Sequence, residues 1–155
     1  HSEYLERMFL RNELANGKYK VEGRPVSISN IRPPMFIVST EKDHVAPWKS
    51  VYKIHLQADT PITFALTSGG HNAGIISEPG HPRRHYRIAT HGEGEPYLDP
   101  DAWFEKSAVK DGSWWPEWEA WLATKSTPER VQPPDIGGNA YASLCDAPGT
   151  YVMAK

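Results

Sequence analysis

The chain has 155 residues, 39% of them hydrophobic and 23% charged, with a formal net charge of −2. That length suits one domain. The balance excludes a wholly disordered chain and a generally basic nucleic-acid binder. No apolar run approaches the roughly 18 residues of a membrane span. Glu3, Glu6, Arg7 and Arg11 interrupt the first turns, which speaks against a secretory signal. A lone cysteine, Cys145, allows no disulfide framework within the chain and fits a reducing cytoplasm. Twelve glycines and fourteen prolines predict many turns.

Three regions emerge in chain order: an α/β part over 1–78, a polar loop over 79–98, and a Trp-rich helical segment with an irregular tail over 99–155. A first helix is predicted over 3–15, capped by Ser2 and ended at Gly17, with Tyr4, Leu5, Met8 and Phe9 on one face. After Pro33-Pro34, the run Met35 to Val38 has the length and apolar continuity of a strand buried on both faces. Pro47 opens a second helix, with Trp48, Val51, Tyr52, His55 and Leu56 at i, i+3, i+4, i+7 and i+8. Pro61 ends it, and Ile62 to Leu66 reads as a second strand.

Residues 35–66 are therefore expected to form strand, crossover helix and parallel strand. Two parallel strands do not make a stable sheet. The missing strands are expected on another chain or in the remainder of a larger protein. His1-Ser2, with no initiating Met, reads as an artificial junction and favours a fragment. Further on, Asp99-Pro100 starts a helix with Trp103 and Phe104 inward. Trp118, Trp121 and Leu122 mark a packed face after Pro116.

The chemistry lies where the strands end. The first is followed by Ser39-Thr40-Glu41-Lys42-Asp43-His44, the second by Thr67-Ser68-Gly69-Gly70-His71-Asn72. Catalytic groups of open α/β sheets gather at the carboxyl ends of strands, and a parallel crossover sets two such ends side by side. Asp43 and His71, 28 residues apart, can then pair. The acid fixes the tautomer of the ring and leaves its other nitrogen as a base. The order acid, then histidine is that of α/β-hydrolases, whose nucleophile lies upstream. The plainer alternative is that Asp43 caps the next helix and His71 is a polar loop residue. No nucleophile elbow is present. Gly70 and Gly74 have the spacing, but Asn72 stands between them. Cys145, in a Pro/Gly-rich tail, reads as a partly buried inert thiol.

Four ordered segments resemble polyhydroxyalkanoate synthases. They are Phe36 to Trp48 with the acid, Ser68 to Gly74 with the histidine, Gly112 to Leu122 with its tryptophans, and the tail from Gly138-Asn139-Ala140-Tyr141 to Val152. The tryptophan segment is the specific one. The resemblance, class I-like, implies the C-terminal part of an α/β-hydrolase-like catalytic domain. It further implies joining of (R)-3-hydroxyacyl groups from coenzyme A thioesters into polyester, with release of coenzyme A. The implied nucleophile is a cysteine upstream, with His71 as its base and Asp43 as the acid that assists the histidine or activates the incoming hydroxyl. Ala73 matches a position tied to substrate choice. No cofactor or metal is implied. The implied partners are the thioester, the growing polyester and a second copy of the enzyme, at cytoplasmic polyester granules. The fragment alone is expected to be inactive. A generic esterase or lipase, and a non-catalytic interaction domain, are the competing readings.

Other polar residues invite weaker readings. His44, beside Asp43, reads as a structural loop histidine before a substrate contact. His81, His85 and His91 share a loop with Arg83, Arg84 and Arg87. A zinc site at His81 and His85 lacks cysteine or acidic ligands nearby, and a solvated basic loop outweighs a clamp for coenzyme A phosphates.

Overall fold

The computed structural model describes residues 1–134, 137–138 and 140–154. Asn139, part of the tail match, and Lys155, the end of the third region, lie outside the described residues. The chain divides into two units, His1–Lys125 and Ser126–Lys155.

In the first unit, α1 (Ser2–Tyr4) runs directly into a π-helical stretch, Leu5–Leu10. The helix predicted over 3–15 thus ends early. Asn12 takes a left-handed backbone conformation (φ 50°), which breaks the helical path. His1, not Ser2, stands at the cap position, without a side-chain cap bond. Tyr4, Leu5 and Phe9 are exposed. A short hairpin, β1 (Lys20–Val21) with β2 (Arg24–Pro25), follows.

The centre is a four-stranded mixed sheet flanked by helices. β3 (Met35–Thr40) leads through α2 (Trp48–Val51) and a 3-10 turn, Tyr52–Leu56, to β4 (Ile62–Thr67). β3 and β4 pair in parallel from Met35↔Ile62 to Thr40↔Thr67, the expected unit with each strand slightly longer. The crossover is α-helical for one turn only. His55 Nδ1 lies 2.9 Å from the Tyr52 carbonyl oxygen, which a continuing α-helix would give to residue 56.

β5 (His85–His91), α3 (Pro100–Lys106), β6 (Val109–Asp111) and α4 (Trp115–Ala123) complete the unit. The order is β3-β4-β5-β6, with β5 and β6 antiparallel to their neighbours. Two corrections follow. Region 79–98 is not only a loop, because it holds β5. Two of the strands expected from elsewhere come from this chain. β5 alternates Tyr86 and Ile88 toward one face with Arg87 and Ala89 toward the other, the period of a strand.

Register sorts the side chains by face. Ile37, Phe64, Leu66 and Ala89 share one side and meet Tyr52 and Trp103 in the core, with Trp48, Val51, Leu98 and Phe104 around it. Asp99 caps α3 as expected, accepting at Oδ1 from the amides of Asp101 and Ala102 (3.0 Å each). Burial pushes the Tyr52 phenol up to about 12.

α4 lies over the other face. Trp114 and Trp121 meet Phe36 at 6.2 and 5.7 Å between ring centroids. Tyr86 donates to Glu117 (3.0 Å), and Lys110 holds the same carboxylate at 2.6 Å. Burial, then Glu117, raise the Tyr86 phenol to about 12, while Lys110 lowers Glu117. Trp114, Glu117 and Trp121 therefore define the inward stripe of α4. Of the expected face of Trp118, Trp121 and Leu122, only Trp121 lies on this stripe, while Trp118 is 44% exposed and Leu122 is exposed as well. The second unit holds β7 (Gly137–Gly138) and β8 (Tyr141–Ala142), paired antiparallel, and a turn at Tyr151–Met153.

Removing the Trp103 side chain empties the centre of the core. Trp103→Ala is expected to cost about 3–5 kcal/mol in urea unfolding, and Trp118→Ala markedly less. Equal losses would contradict this assignment of the inward faces.

Candidate active site

The site begins with the β3–β4 ladder. The ladder continues beyond both strands: Glu41 N–H donates to Thr67 O (2.9 Å) and Lys42 N–H to Gly69 O (3.0 Å). The two carboxyl ends thus leave the sheet in fixed register. Asp43 follows on one and His71 on the other.

Glycine shapes the histidine loop. Gly69 has φ +112°, and a Cβ there would meet Gly74 backbone at 3.0 Å. A Cβ on Gly74 would meet Thr40 Cγ2 at 2.5 Å and Ser68 O at 2.8 Å. Only glycine at 74 lets the loop fold back onto the end of β3. Between the two glycines the chain makes a helical turn, with Gly74 N–H donating to Gly70 O (3.0 Å) and Ile76 N–H to Asn72 O (3.0 Å). His71 sits at its start.

Asp43 uses both oxygens. Oδ1 accepts from the amides of Val45 (2.8 Å) and Ala46 (2.9 Å), and Oδ2 accepts from His71 Nδ1 at 2.9 Å. The Asp43 side chain is 9% exposed and the His71 side chain 49%. The Ala46 amide first, then His71 and the Val45 amide, hold the Asp43 carboxyl down at about 2. Asp43 is therefore a carboxylate across the ordinary pH range, and a carboxylate only accepts. Nδ1 of His71 carries the proton, and in the neutral ring Nε2 carries the lone pair. No hydrogen bond reaches Nε2 among the described residues. The arrangement is an oriented imidazole with its basic nitrogen open to solvent. Asp43 also differs from the helix cap of the plainer reading, because it closes a loop ahead of Pro47, which itself stands at the cap of α2.

The other candidates fall elsewhere. His44 and Ala73 are exposed, each near its partner of the pair in sequence. Arg87 is not a free clamp for phosphates. Its guanidinium lies 4.1 Å over the Phe104 ring and donates to Ser107 O. Arg83 is exposed, and Arg84 Nη2 lies 3.4 Å from His81 Nε2. His81, His85 and His91 turn to different partners: Pro82 O, Glu41 and Glu95. No group of three metal-capable side chains forms among the described residues. Cys145 is exposed rather than partly buried. Among the described residues of its unit, Tyr141, Leu144 and Tyr151 are exposed as well.

The sequence did not show the supporting roles of Thr40, Gly69, Gly74 and the Glu41–His85 pair. The glycine spacing around His71 carried a signal for two of them.

No family model matches the chain. Among curated proteins, it is 33% identical over 155 residues, all of this chain, to "Poly(3-hydroxyalkanoate) polymerase subunit PhaC" of Rhizobium etli, covering 24% of that protein. It is 34% identical over 154 residues, 98% of this chain, to the protein of the same name from Cupriavidus necator, covering 25% of it. It is 33% identical over 158 aligned residues, all of this chain, to "Poly(3-hydroxyalkanoate) polymerase 2" of Ectopseudomonas oleovorans, covering 27% of it. Along its length the chain is similar to poly(3-hydroxyalkanoate) polymerases. It spans about a quarter of the length of the curated relatives it matches. The aligned stretch covers both strand ends and the tryptophan segment, so Asp43, His71 and α4 all fall inside the match. No helix among the described residues is long and apolar enough to cross a membrane.

The pair makes a prediction about acid. Asp43 is expected to titrate near about 2 by carboxyl ¹³C NMR. In His71→Ala its pKa rises but stays below the ordinary 3.8, because the Ala46 and Val45 amides remain. The stability Asp43 contributes is in place above pH 3.8 and fades as pH falls from there through about 2. An Asp43 midpoint near 3.8 in the unsubstituted chain would contradict the geometry.

Proposed function

We propose that this chain is the acid–base part of a polyester synthase with an α/β-hydrolase-like catalytic domain, acting on (R)-3-hydroxyacyl coenzyme A. The observation that carries the proposal is the Asp43–His71 hydrogen bond at two adjacent parallel strand ends, in a chain matched end to end by poly(3-hydroxyalkanoate) polymerases. His71 Nε2 takes the proton of a cysteine thiol supplied by the rest of the protein. The thiolate attacks the thioester carbonyl, the C–S bond to coenzyme A breaks, and the departing thiolate takes a proton from the imidazolium. The 3-hydroxyl of the next unit then gives its proton to Nε2 and attacks the acyl-enzyme, freeing the cysteine. Asp43 holds the ring in the tautomer both steps need and stabilises the imidazolium. In this reading Ala73, on the exposed turn two residues past the base, borders the acyl group. No cofactor takes part. The chain alone is inactive without the cysteine, and the whole enzyme works as a homodimer at cytoplasmic polyester granules.

The test is a chimera in which residues 1–155 replace the matching quarter of a curated relative. Release of free coenzyme A thiol from 3-hydroxybutyryl-CoA is expected, with insoluble polyester as product. His71→Ala is expected to lower turnover by about 10²–10⁴-fold, and Asp43→Asn by less or equally. A folded chimera whose turnover ignores His71→Ala would overturn the assignment.

A further inference from the structure

A second histidine and a second carboxylate stand at the same edge of the sheet. His85 opens β5, beside the start of the His71 loop. Its main chain grips that loop: His85 N–H donates to Ser68 Oγ (3.1 Å), and Ser68 N–H donates to His85 O (2.9 Å). Its ring reaches in the other direction. His85 Nε2 lies 3.5 Å from Glu41 Oε1, two residues before Asp43. Glu41 is the first residue past β3, and its amide holds the ladder to Thr67. One residue of β5 therefore contacts both segments that carry the pair, the histidine loop by backbone and the acid loop by side chain.

We propose that His85 is a positioning residue for the Asp43–His71 pair, acting through Glu41 and resting on the acid–base reading above. Asp43 depends on residues 41 and 42 staying on the β4 ladder to meet the His71 ring, whereas its bonds to the Val45 and Ala46 amides are local to its own loop. The side-chain anchor of that short extension is Glu41, at 21% exposure the more covered member of its pair. The charged residues on the elements around His85 are Glu41 and Lys42 beyond β3, its register partner Asp111 on β6 with neighbouring Lys110, and Arg84 beside it. Of these, Glu41 is the one whose side chain contacts the ring, at 3.5 Å. Arg84 adds a second brace from the same strand end, since its Nη1 fills the space where a Gly69 Cβ would stand, 2.9 Å from that position.

The test reads the Asp43 carboxyl in the chain itself by ¹³C NMR, together with the His71 Nδ1–H signal. In His85→Ala the Asp43 midpoint is expected to rise from about 2 toward 3.8, and the Nδ1–H signal to be lost. His85→Gln, which keeps a donor for Glu41, is expected to restore both. Ile62→Val, at the opposite end of β4, controls for general loosening and is expected to leave Asp43 in place. If His85→Ala does not fold, Glu41→Ala decides, because it removes the same contact and keeps the His85 backbone bonds. An Asp43 midpoint that stays near 2 with Nδ1–H retained, or that moves as far in the control, overturns the proposal. The readout is a carboxyl and not turnover. An unmoved Asp43 therefore leaves the acid–base reading standing, and an inert His71→Ala substitution in the chimera overturns that reading whatever Asp43 does.

Discussion

The parallel pairing of β3 with β4 is the constraint on which the site depends. Six register pairs, from Met35↔Ile62 to Thr40↔Thr67, fix where each strand stops. Two further backbone bonds, from Glu41 and Lys42, carry that register past the strands and into the loops. A slip of one residue would turn every β3 side chain to the wrong face and carry Asp43 away from His71. The pair is thus a consequence of the sheet. Neither loop would hold its residue within 2.9 Å of the other by itself.

The rest of the first unit protects that register. On one face Phe64 and Leu66 pack against Tyr52 and Trp103, joining β4 to the crossover segment and α3. On the other, α4 is pinned through Glu117 to Tyr86 and Lys110, and through Trp115 Nε1, which donates to Ile75 O at 3.0 Å. The last bond ends in the turn that begins at His71. The tryptophan-rich segment is therefore tied to the histidine loop directly, in addition to filling space with Trp114 and Trp121 against Phe36.

Much of this was legible in the sequence where one signal dominated. Met35–Val38 and Ile62–Leu66 are uninterrupted apolar runs, and Pro47 and Pro61 bracket what joins them, so the parallel unit could be read directly. The juxtaposition of Asp43 and His71 then followed from strand ends alone. β5 was hidden because His85, Arg87 and His91 look like a solvated loop, although Tyr86 and Ile88 keep strand period between them. The first helix was overextended because nothing in its apolar spacing shows that Asn12 adopts φ 50°. The inward face of α4 was misjudged because Glu117, a polar residue, faces the sheet to meet Tyr86 and Lys110. Charged side chains that work from the inside are what hydrophobic periodicity misses.

The account's central claim is that Asp43 and His71 act as one unit. A double-mutant cycle in the chimeric enzyme tests it most directly, with turnover measured for Asp43→Asn, His71→Ala and both together. The account predicts that the double variant is no slower than His71→Ala alone, since an acid that only orients a base has nothing left to do once the base is gone. Losses that multiply would show that Asp43 and His71 act independently, and would contradict the account.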